Sequence, residues 1–179
     1  MRRVRRRAAH GLATGIACLG AATALPSSAA AALTLTTSAA PLFSDNLNAG
    51  DQTQAFTAAL NAKDTSSGSS PGWHLTITST TFTTGGASPH TLSNTATKIT
   101  SVAYACASGP CVNPVNSVAL PVTVPAGSVA PAAVSFFDAA ANTGQGSFTV
   151  TPTFNVFVPQ NSFAGTYTSK LTFAIVSGP

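Results

Sequence analysis

The chain has 179 residues and a formal net charge of +4 at pH 7, although only 7% of its residues are charged. All five arginines lie within the first seven residues, so the positive charge belongs to the N-terminal segment. From Leu33 onward there are three lysines and four aspartates, and three minus four leaves a net charge of about −1. Because a surface that binds nucleic acid needs clustered lysine and arginine, nucleic acid is not an expected partner of this part of the chain.

The N-terminal segment has the three parts of a secretory signal peptide. Basic residues 1–7 precede an apolar, alanine-rich run at 11–25, and small residues follow as far as Ala32. About 15 moderately apolar residues are fewer than the roughly 20 that cross a bilayer as a helix, which argues against a membrane anchor. We therefore expect residues 1–32 to be removed on export, with cleavage near Ala30 or Ala32, and no transmembrane segment after cleavage.

Residues 33–179 are expected to form a single domain. They number 147, a length at which roughly 68–70% of the unfolded surface is buried on folding. This part of the chain lacks Glu, Arg and Met and is rich in Thr, Ser, Ala, Val and Phe. Such a composition favours β-strands joined by polar loops.

Apolar and polar residues alternate through this domain with the period of two that is typical of strands. The only tryptophan lies in one of these stretches, where Trp73, Leu75 and Ile77 share one face of the expected strand. His74 points to the other face, towards solvent. The stretch 54–63 also allows a short helix because of its alanines. The expected strands span 33–37, 54–63, 73–82, 99–105, 118–124 (an edge strand, because of its proline), 132–138, 147–158 and 166–176.

Seven to nine short strands, separated by turn residues and without a helix of twelve residues, indicate an all-β fold. The segment 45–51 carries the Asn, Asp and Gly residues of one such turn. Two antiparallel layers bury one face of every strand most economically. We therefore expect an antiparallel, immunoglobulin-like β-sandwich.

Two cysteines remain in the domain once Cys18 is removed with the signal peptide. Cys106 and Cys111 enclose four residues that include Gly-Pro, which suits a small closed loop in an exported protein. A redox site of the C-x-x-C type needs two intervening residues, and a metal site needs further ligands nearby. We therefore expect a structural disulfide between Cys106 and Cys111.

The domain offers few groups for catalysis. Its carboxylates are four aspartates, its other candidate bases are His74 and His90, and no two of these groups have a useful spacing. Serine and threonine are so abundant that one beside a histidine does not indicate a nucleophile. We expect no catalytic residue, no metal ligand, no cofactor and no enzymatic activity. The aspartates are Asp45, Asp51, Asp64 and Asp138.

Three local patterns follow one another along the domain. The first is Trp73-His74-Leu75, which follows a glycine-containing loop that begins at Asp64. In the second, residues 139–148, small residues and Gly-x-Gly precede a strand. The third closes the chain at 164–173 with Tyr, then Leu-Thr-Phe.

In this order the patterns resemble the WxL-domain proteins of Gram-positive bacteria, which are exported and associated with the cell surface. That family has a Trp-x-Leu motif and a later motif of Tyr followed by Leu-Thr-Trp. The later motif is represented here by Tyr167, Leu171 and Phe173, so Phe stands where the family usually has Trp. No arginine follows Asp64, where the family has an Asp-x-Arg turn.

The resemblance covers most of residues 33–179 and implies non-covalent attachment to the Gram-positive cell wall, with peptidoglycan or a related envelope polymer as the partner. It implies five motif residues as candidate ligand contacts. A tryptophan that shares a face with Leu75 and Ile77 also fits a sandwich core, and burial preferences favour that packing role. The five candidate residues are Trp73, Leu75, Tyr167, Leu171 and Phe173.

A second hypothesis is a structural subunit of a surface filament or coat, with other surface proteins as partners. Its basis is the segment 164–168, which resembles the closing strand of spore-coat and pilin-type sandwich subunits. Such subunits assemble through an incomplete or exchanged strand. Both hypotheses place the protein outside the cell, secreted and associated with the cell wall.

Overall fold

The computed structural model describes residues 33–37 and 50–178. The expected signal peptide and most of the expected turn at 45–51 lie outside these residues. Within the described ranges, no helix is long and apolar enough to cross a membrane.

All regular structure in the described residues is β-strand, which confirms the all-β prediction. Ten strands replace the expected seven to nine, because the expected strand 54–63 is divided in two and a two-residue strand at Ala126–Gly127 was not predicted. The strands are β1 (Leu33–Thr37), β2 (Gln52–Thr57), β3 (Leu60–Asp64), β4 (Trp73–Thr80), β5 (Thr97–Ser108), β6 (Val122–Thr123), β7 (Ala126–Gly127), β8 (Val134–Ala139), β9 (Gly146–Val158) and β10 (Leu171–Ser177).

The strands form two sheets, and every pairing is antiparallel except the short contact between β4 and β7. The six-stranded sheet has the order β1-β3-β9-β5-β6, with β2 also paired to β9. In the four-stranded sheet, β4 has β10 on one side and β8 and β7 on the other. The central positions of β4 and β9 agree with their apolar, well-buried sequences.

The prediction of one continuous strand at 54–63 is wrong. β2 and β3 both pair with β9, but the ladder is interrupted between Thr57, opposite Thr153, and Leu60, opposite Val150. The interruption lies opposite Pro152, whose carbonyl oxygen accepts a hydrogen bond from the Ala58 N–H at 3.4 Å. Since proline has no N–H to donate in return, the regular ladder stops there and the chain forms two short strands.

Two other expected strands are much shorter than predicted, and the one expected at 73–82 ends at Thr80. The edge strand at 118–124 is reduced to β6, which follows Pro121 and pairs only with Lys98 and Ile99 of β5. The strand expected at 166–176 begins regular pairing at Leu171, and before that point only Thr168 forms an isolated bridge, to Thr83.

One main hydrophobic core lies between the two sheets. Trp73, Leu75 and Ile77 are each 1% exposed or less, so they share the buried face of β4 as predicted. Full burial of side chains of this size stabilises the fold by roughly 1.5–3 kcal/mol each. The largest fully buried side chains of this core are Trp73, Phe136, Phe137, Phe148, Phe154, Leu60, Leu75, Ile77, Ile99, Val124 and Val150.

Candidate functional site

The first motif and the Leu-Thr-Phe part of the last motif lie on neighbouring strands of the four-stranded sheet. β4 and β10 pair so that Leu75 is opposite Ile175 and Ile77 is opposite Phe173. Leu171, Phe173 and Ile175 are half-buried and pack against the main core. The motif residues of these strands therefore form part of the interior of the domain.

The single tryptophan is sealed within the domain. Its side chain is 1% exposed, its ring centroid lies 5.9 Å from that of Phe137, and its indole Nε1–H donates a 3.0 Å hydrogen bond to the Gly144 carbonyl oxygen. A buried indole N–H normally has such a partner. In this conformation Trp73 has the geometry of a packing residue, and a polymer outside the domain does not reach its ring.

The second motif, residues 139–148, packs over the Trp73 side chain. Gly144 has φ +74°, and a Cβ at this position would lie 2.5 Å from the Ala139 Cβ and 2.6 Å from the Trp73 Nε1. Only glycine combines that positive φ with so close an approach. The first glycine of Gly-x-Gly is therefore explained by its contact with Trp73.

A buried carboxylate organises the loop that precedes Trp73. Asp64 is 3% exposed, and its two oxygens accept hydrogen bonds from the Ser66 N–H at 2.8 Å and the Ser70 hydroxyl at 3.1 Å. Ser70 in turn accepts from the Gly72 N–H and donates its own N–H to the Asn142 side chain. Because a buried charge needs such partners, Asp64 links loop 64–72 to the Gly-x-Gly segment.

Asp138 has the same role in the loop that follows the cysteines. It is 5% exposed, and its carboxylate accepts hydrogen bonds from both the N–H and the hydroxyl of Ser117. Its own N–H donates to the Asn116 side-chain oxygen at 2.9 Å. The sequence marked Asp64 as the start of the loop before the tryptophan motif, but it predicted the burial of neither aspartate, because that burial depends on distant loops.

The predicted disulfide is present. Cys106 and Cys111 are joined by an S–S bond of 2.05 Å at the end of β5. The next residue, Val112, donates its N–H to Gln145 at 2.8 Å and accepts the Gly144 N–H at 2.9 Å. The disulfide loop therefore packs against the Gly-x-Gly segment, and together with loop 64–72 they form what we call the Trp73 end of the domain.

Tyr167 lies at the opposite end of the four-stranded sheet, beyond Thr80. It is half-buried, its hydroxyl donates to the Phe163 carbonyl oxygen at 3.1 Å, and its ring joins a small cluster with Leu92 and Val156. Phe163 is 61% exposed and stacks on His90, with ring centroids 3.6 Å apart. The structure therefore does not bring Tyr167 together with the tryptophan motif.

His74 is half-buried, and its Nδ1–H donates a hydrogen bond to the Gly178 carbonyl oxygen. This hydrogen bond links residue 178 to β4. The sequence had placed His74 facing solvent and did not predict this contact. In the part of the chain that the structure describes, no group of three or more His, Cys, Asp or Glu side chains is placed to hold a metal ion.

The outward side of the six-stranded sheet is a largely polar surface that contains none of the five motif residues. Along β9, the residues between the buried apolar positions are Thr149, Thr151, Thr153 and Asn155, followed by Phe157, which is 43% exposed. We call this side the outer threonine face. On the neighbouring strands, the same face carries the polar residues Thr34, Thr36, Thr53, Asn61, Lys63 and Lys98, together with the small apolar residues Ala55, Ala103 and Ala105.

The outer threonine face follows directly from strand alternation. Phe148, Val150 and Phe154 point into the core, so the residues between them must point outwards. The Thr149 hydroxyl donates to the Asn61 side-chain oxygen at 3.1 Å, which links two neighbouring strands at the surface. The alternation predicted for 147–158 already indicated this surface, because residues that are not on the apolar face of a strand lie on the opposite face.

No protein-family model, no curated protein and no solved structure matches the chain.

Proposed function

We propose that this is a secreted, non-catalytic, cell-wall-associated protein that binds peptidoglycan or a related envelope polymer non-covalently, as a divergent relative of the WxL domains. Its partners in this proposal are the wall polymer or other surface proteins, and it needs no cofactor. The ordered motifs and the signal-peptide pattern support the family and the location. The observation that carries the binding function is the outer threonine face.

The chemistry of this face suits a hydroxyl- and amide-rich polymer. Threonine hydroxyls and asparagine amides both donate and accept hydrogen bonds, as do the hydroxyl and acetamido groups of wall glycans. Phe157 adds an exposed aromatic ring at one end of the row. Since β9 is paired on both sides, these side chains stand on a rigid base, and little conformational entropy is lost when a polymer binds.

In this proposal the motif residues shape the domain and the outer face makes the contact. Trp73 and Leu75 are 1% and 0% exposed, whereas the outward side chains of β9 are half-buried or exposed. The proposal includes an immunoglobulin-like type of β-sandwich. It is supported by two sheets around one core with a buried tryptophan on a central strand, although the disulfide here closes a loop instead of joining the sheets.

Retention of the purified protein on isolated sacculi tests the proposal. We expect retention above that of an unrelated β-sandwich protein, and a large reduction in the double variant Thr151→Val/Thr153→Val, which removes two hydroxyls with little change of shape. Thr172→Val, on the exposed side of β10, is the matched control and should bind normally. Equal retention of the wild type and the unrelated protein would exclude wall binding.

The filament or coat subunit is the second candidate, because one sheet edge is open. β5 has twelve residues, but in the described part of the chain its outer neighbour β6 covers only Lys98 and Ile99. On the inward side of the open part, Tyr104 is 41% exposed beside Phe137. Such an edge accepts an added strand. Light scattering of the purified protein separates the candidates, since a monomer at high concentration contradicts assembly through β5.

A further inference from the structure

We propose that a depression at the Lys98 end of the outer threonine face binds an acidic sugar unit, so that the polymer recognised by this protein is an anionic glycan. This inference rests on the proposed wall-binding function and names its ligand class. The acidic group is a carboxylate or a phosphate, because both present oxyanions to an ammonium group.

The depression spans three neighbouring strands. Cross-strand pairing places Thr53 beside Phe157 and Lys98 beside Asn155, and Thr95 and Thr100 complete the rim. The space between them is about 380 Å³ and opens to solvent. Three adjacent strands are about 10 Å across, which matches the width of one sugar ring and its substituents.

The side chains around this depression supply three different contacts. The exposed ring of Phe157 offers an apolar surface for the C–H face of a sugar. The Asn155 amide and the threonine hydroxyls can exchange hydrogen bonds with ring hydroxyls or an acetamido group. The Lys98 ammonium group, on an exposed side chain, provides the charge for an oxyanion.

The charge distribution of the whole face favours a negatively charged polymer. Lys63 and Lys98 are its ionised groups, because Asp64 and Asp138 are buried in internal hydrogen bonds. The exposed carboxylate of Asp51 lies beyond the end of β2, where it accepts the N–H of Gln160 at 2.8 Å.

The two lysines stand at opposite ends of the threonine row. Lys63 is paired with Ser147 and Lys98 with Asn155, eight residues apart on β9 (147 to 155), a separation of about 27 Å along the strand. A linear polymer that follows β9 therefore meets a positive charge at each end and hydroxyl groups between them. A neutral glycan would gain nothing from either charge.

Retention of the full chain on isolated sacculi at increasing NaCl concentrations tests this inference. We expect Lys98→Gln to weaken binding about two- to five-fold at low salt, as for an exposed ion pair, and Lys63→Gln/Lys98→Gln to remove most of the salt dependence. Lys170→Gln is the matched control, because Lys170 is exposed but lies outside this face. Phe157→Ala should weaken binding at every salt concentration.

Sacculi treated with hydrofluoric acid, which removes phosphate polymers, distinguish the two sources of the acidic group. Lys98-dependent binding that survives the treatment assigns a carboxylate of peptidoglycan, and binding that disappears assigns a wall polyphosphate. Salt-independent retention, with Lys98→Gln equal to Lys170→Gln, overturns the anionic ligand and leaves wall binding intact. If the wild type is not retained on either preparation, the proposed function itself fails.

Discussion

Trp73 and Gly144 are joined by a hydrogen bond in which the indole Nε1–H donates to the carbonyl oxygen at 3.0 Å, across 71 residues of sequence. The Gly144 N–H donates in turn to Val112 in the disulfide loop. The tryptophan motif, the Gly-x-Gly segment and the disulfide loop are therefore one packed unit. Changes at Trp73 should act first on the stability of this end of the domain.

Replacing Trp73 tests packing against direct contact with the wall. Trp73→Ala should lower the free energy of unfolding by about 3–5 kcal/mol, because it leaves a large cavity. Trp73→Phe retains most of the apolar volume but leaves the Gly144 carbonyl without its donor. This change should lower the free energy of unfolding by about 1–3 kcal/mol. Urea unfolding followed by far-ultraviolet circular dichroism measures both changes.

Wall binding of the folded Trp73→Phe protein should equal that of the wild type, because the ring does not reach the surface. A Trp73→Phe protein that keeps wild-type stability but no longer binds sacculi would mean that the tryptophan is a ligand contact. Sacculus retention measured well below the unfolding temperature separates these outcomes.

Gly144→Ala should be strongly destabilising. The positive φ alone disfavours a side chain by about 1–2 kcal/mol, and the close approach to Trp73 and Ala139 adds a further 1–3 kcal/mol. Gly85→Ala is the matched control, because Gly85 has φ +70° but no atom within 4 Å of an added Cβ. The difference in thermal midpoint between the two variants measures the steric part, and equal midpoints would contradict the tight cover over Trp73.

Asp64→Ala should destabilise the domain more than Asp51→Ala. The Asp64 change leaves the Ser66 N–H and the Ser70 hydroxyl without their acceptor in a buried site, a loss of about 2–3 kcal/mol. Asp51 is exposed and accepts one hydrogen bond, from Gln160, so its loss should lower stability by less than about 1 kcal/mol. Hydrogen exchange at the Ser66 and Gly72 N–H groups should accelerate only in Asp64→Ala. Unchanged exchange at these groups in Asp64→Ala would contradict the role of Asp64 in ordering loop 64–72.

Removing the disulfide should loosen one loop without unfolding the domain. A loop closed over a sequence separation of five stabilises by about 2 kcal/mol in the chain-entropy estimate. In Cys106→Ser/Cys111→Ser we expect faster hydrogen exchange at Val112 and Gly144, whose N–H groups link the disulfide loop to the Gly-x-Gly segment. The N–H of Phe154, in the middle of β9, is the internal control and should exchange as slowly as before.

The sequence alone determined the class of the fold and the orientation of most strands. Alternation with a period of two is a local property, so it assigned Trp73, Leu75 and Ile77 to one buried face without knowledge of their neighbours. The same alternation on β9 determined which threonines point outwards. The short spacing of Cys106 and Cys111, together with the signal-peptide pattern, likewise predicted their disulfide.

Only the tertiary structure decided how these elements combine, because strand pairing and loop packing join residues far apart in the chain. The division of 54–63 depends on Pro152 in a strand about 90 residues later, and the burial of Asp64 depends on the loop around Asn142. The sheet order placed Lys98 beside Asn155 and brought outward polar residues of separate strands onto one face. Trp73 was a candidate ligand contact because of its motif. In the structure it is enclosed in the core, where a distant loop supplies the Gly144 carbonyl oxygen that accepts its indole N–H.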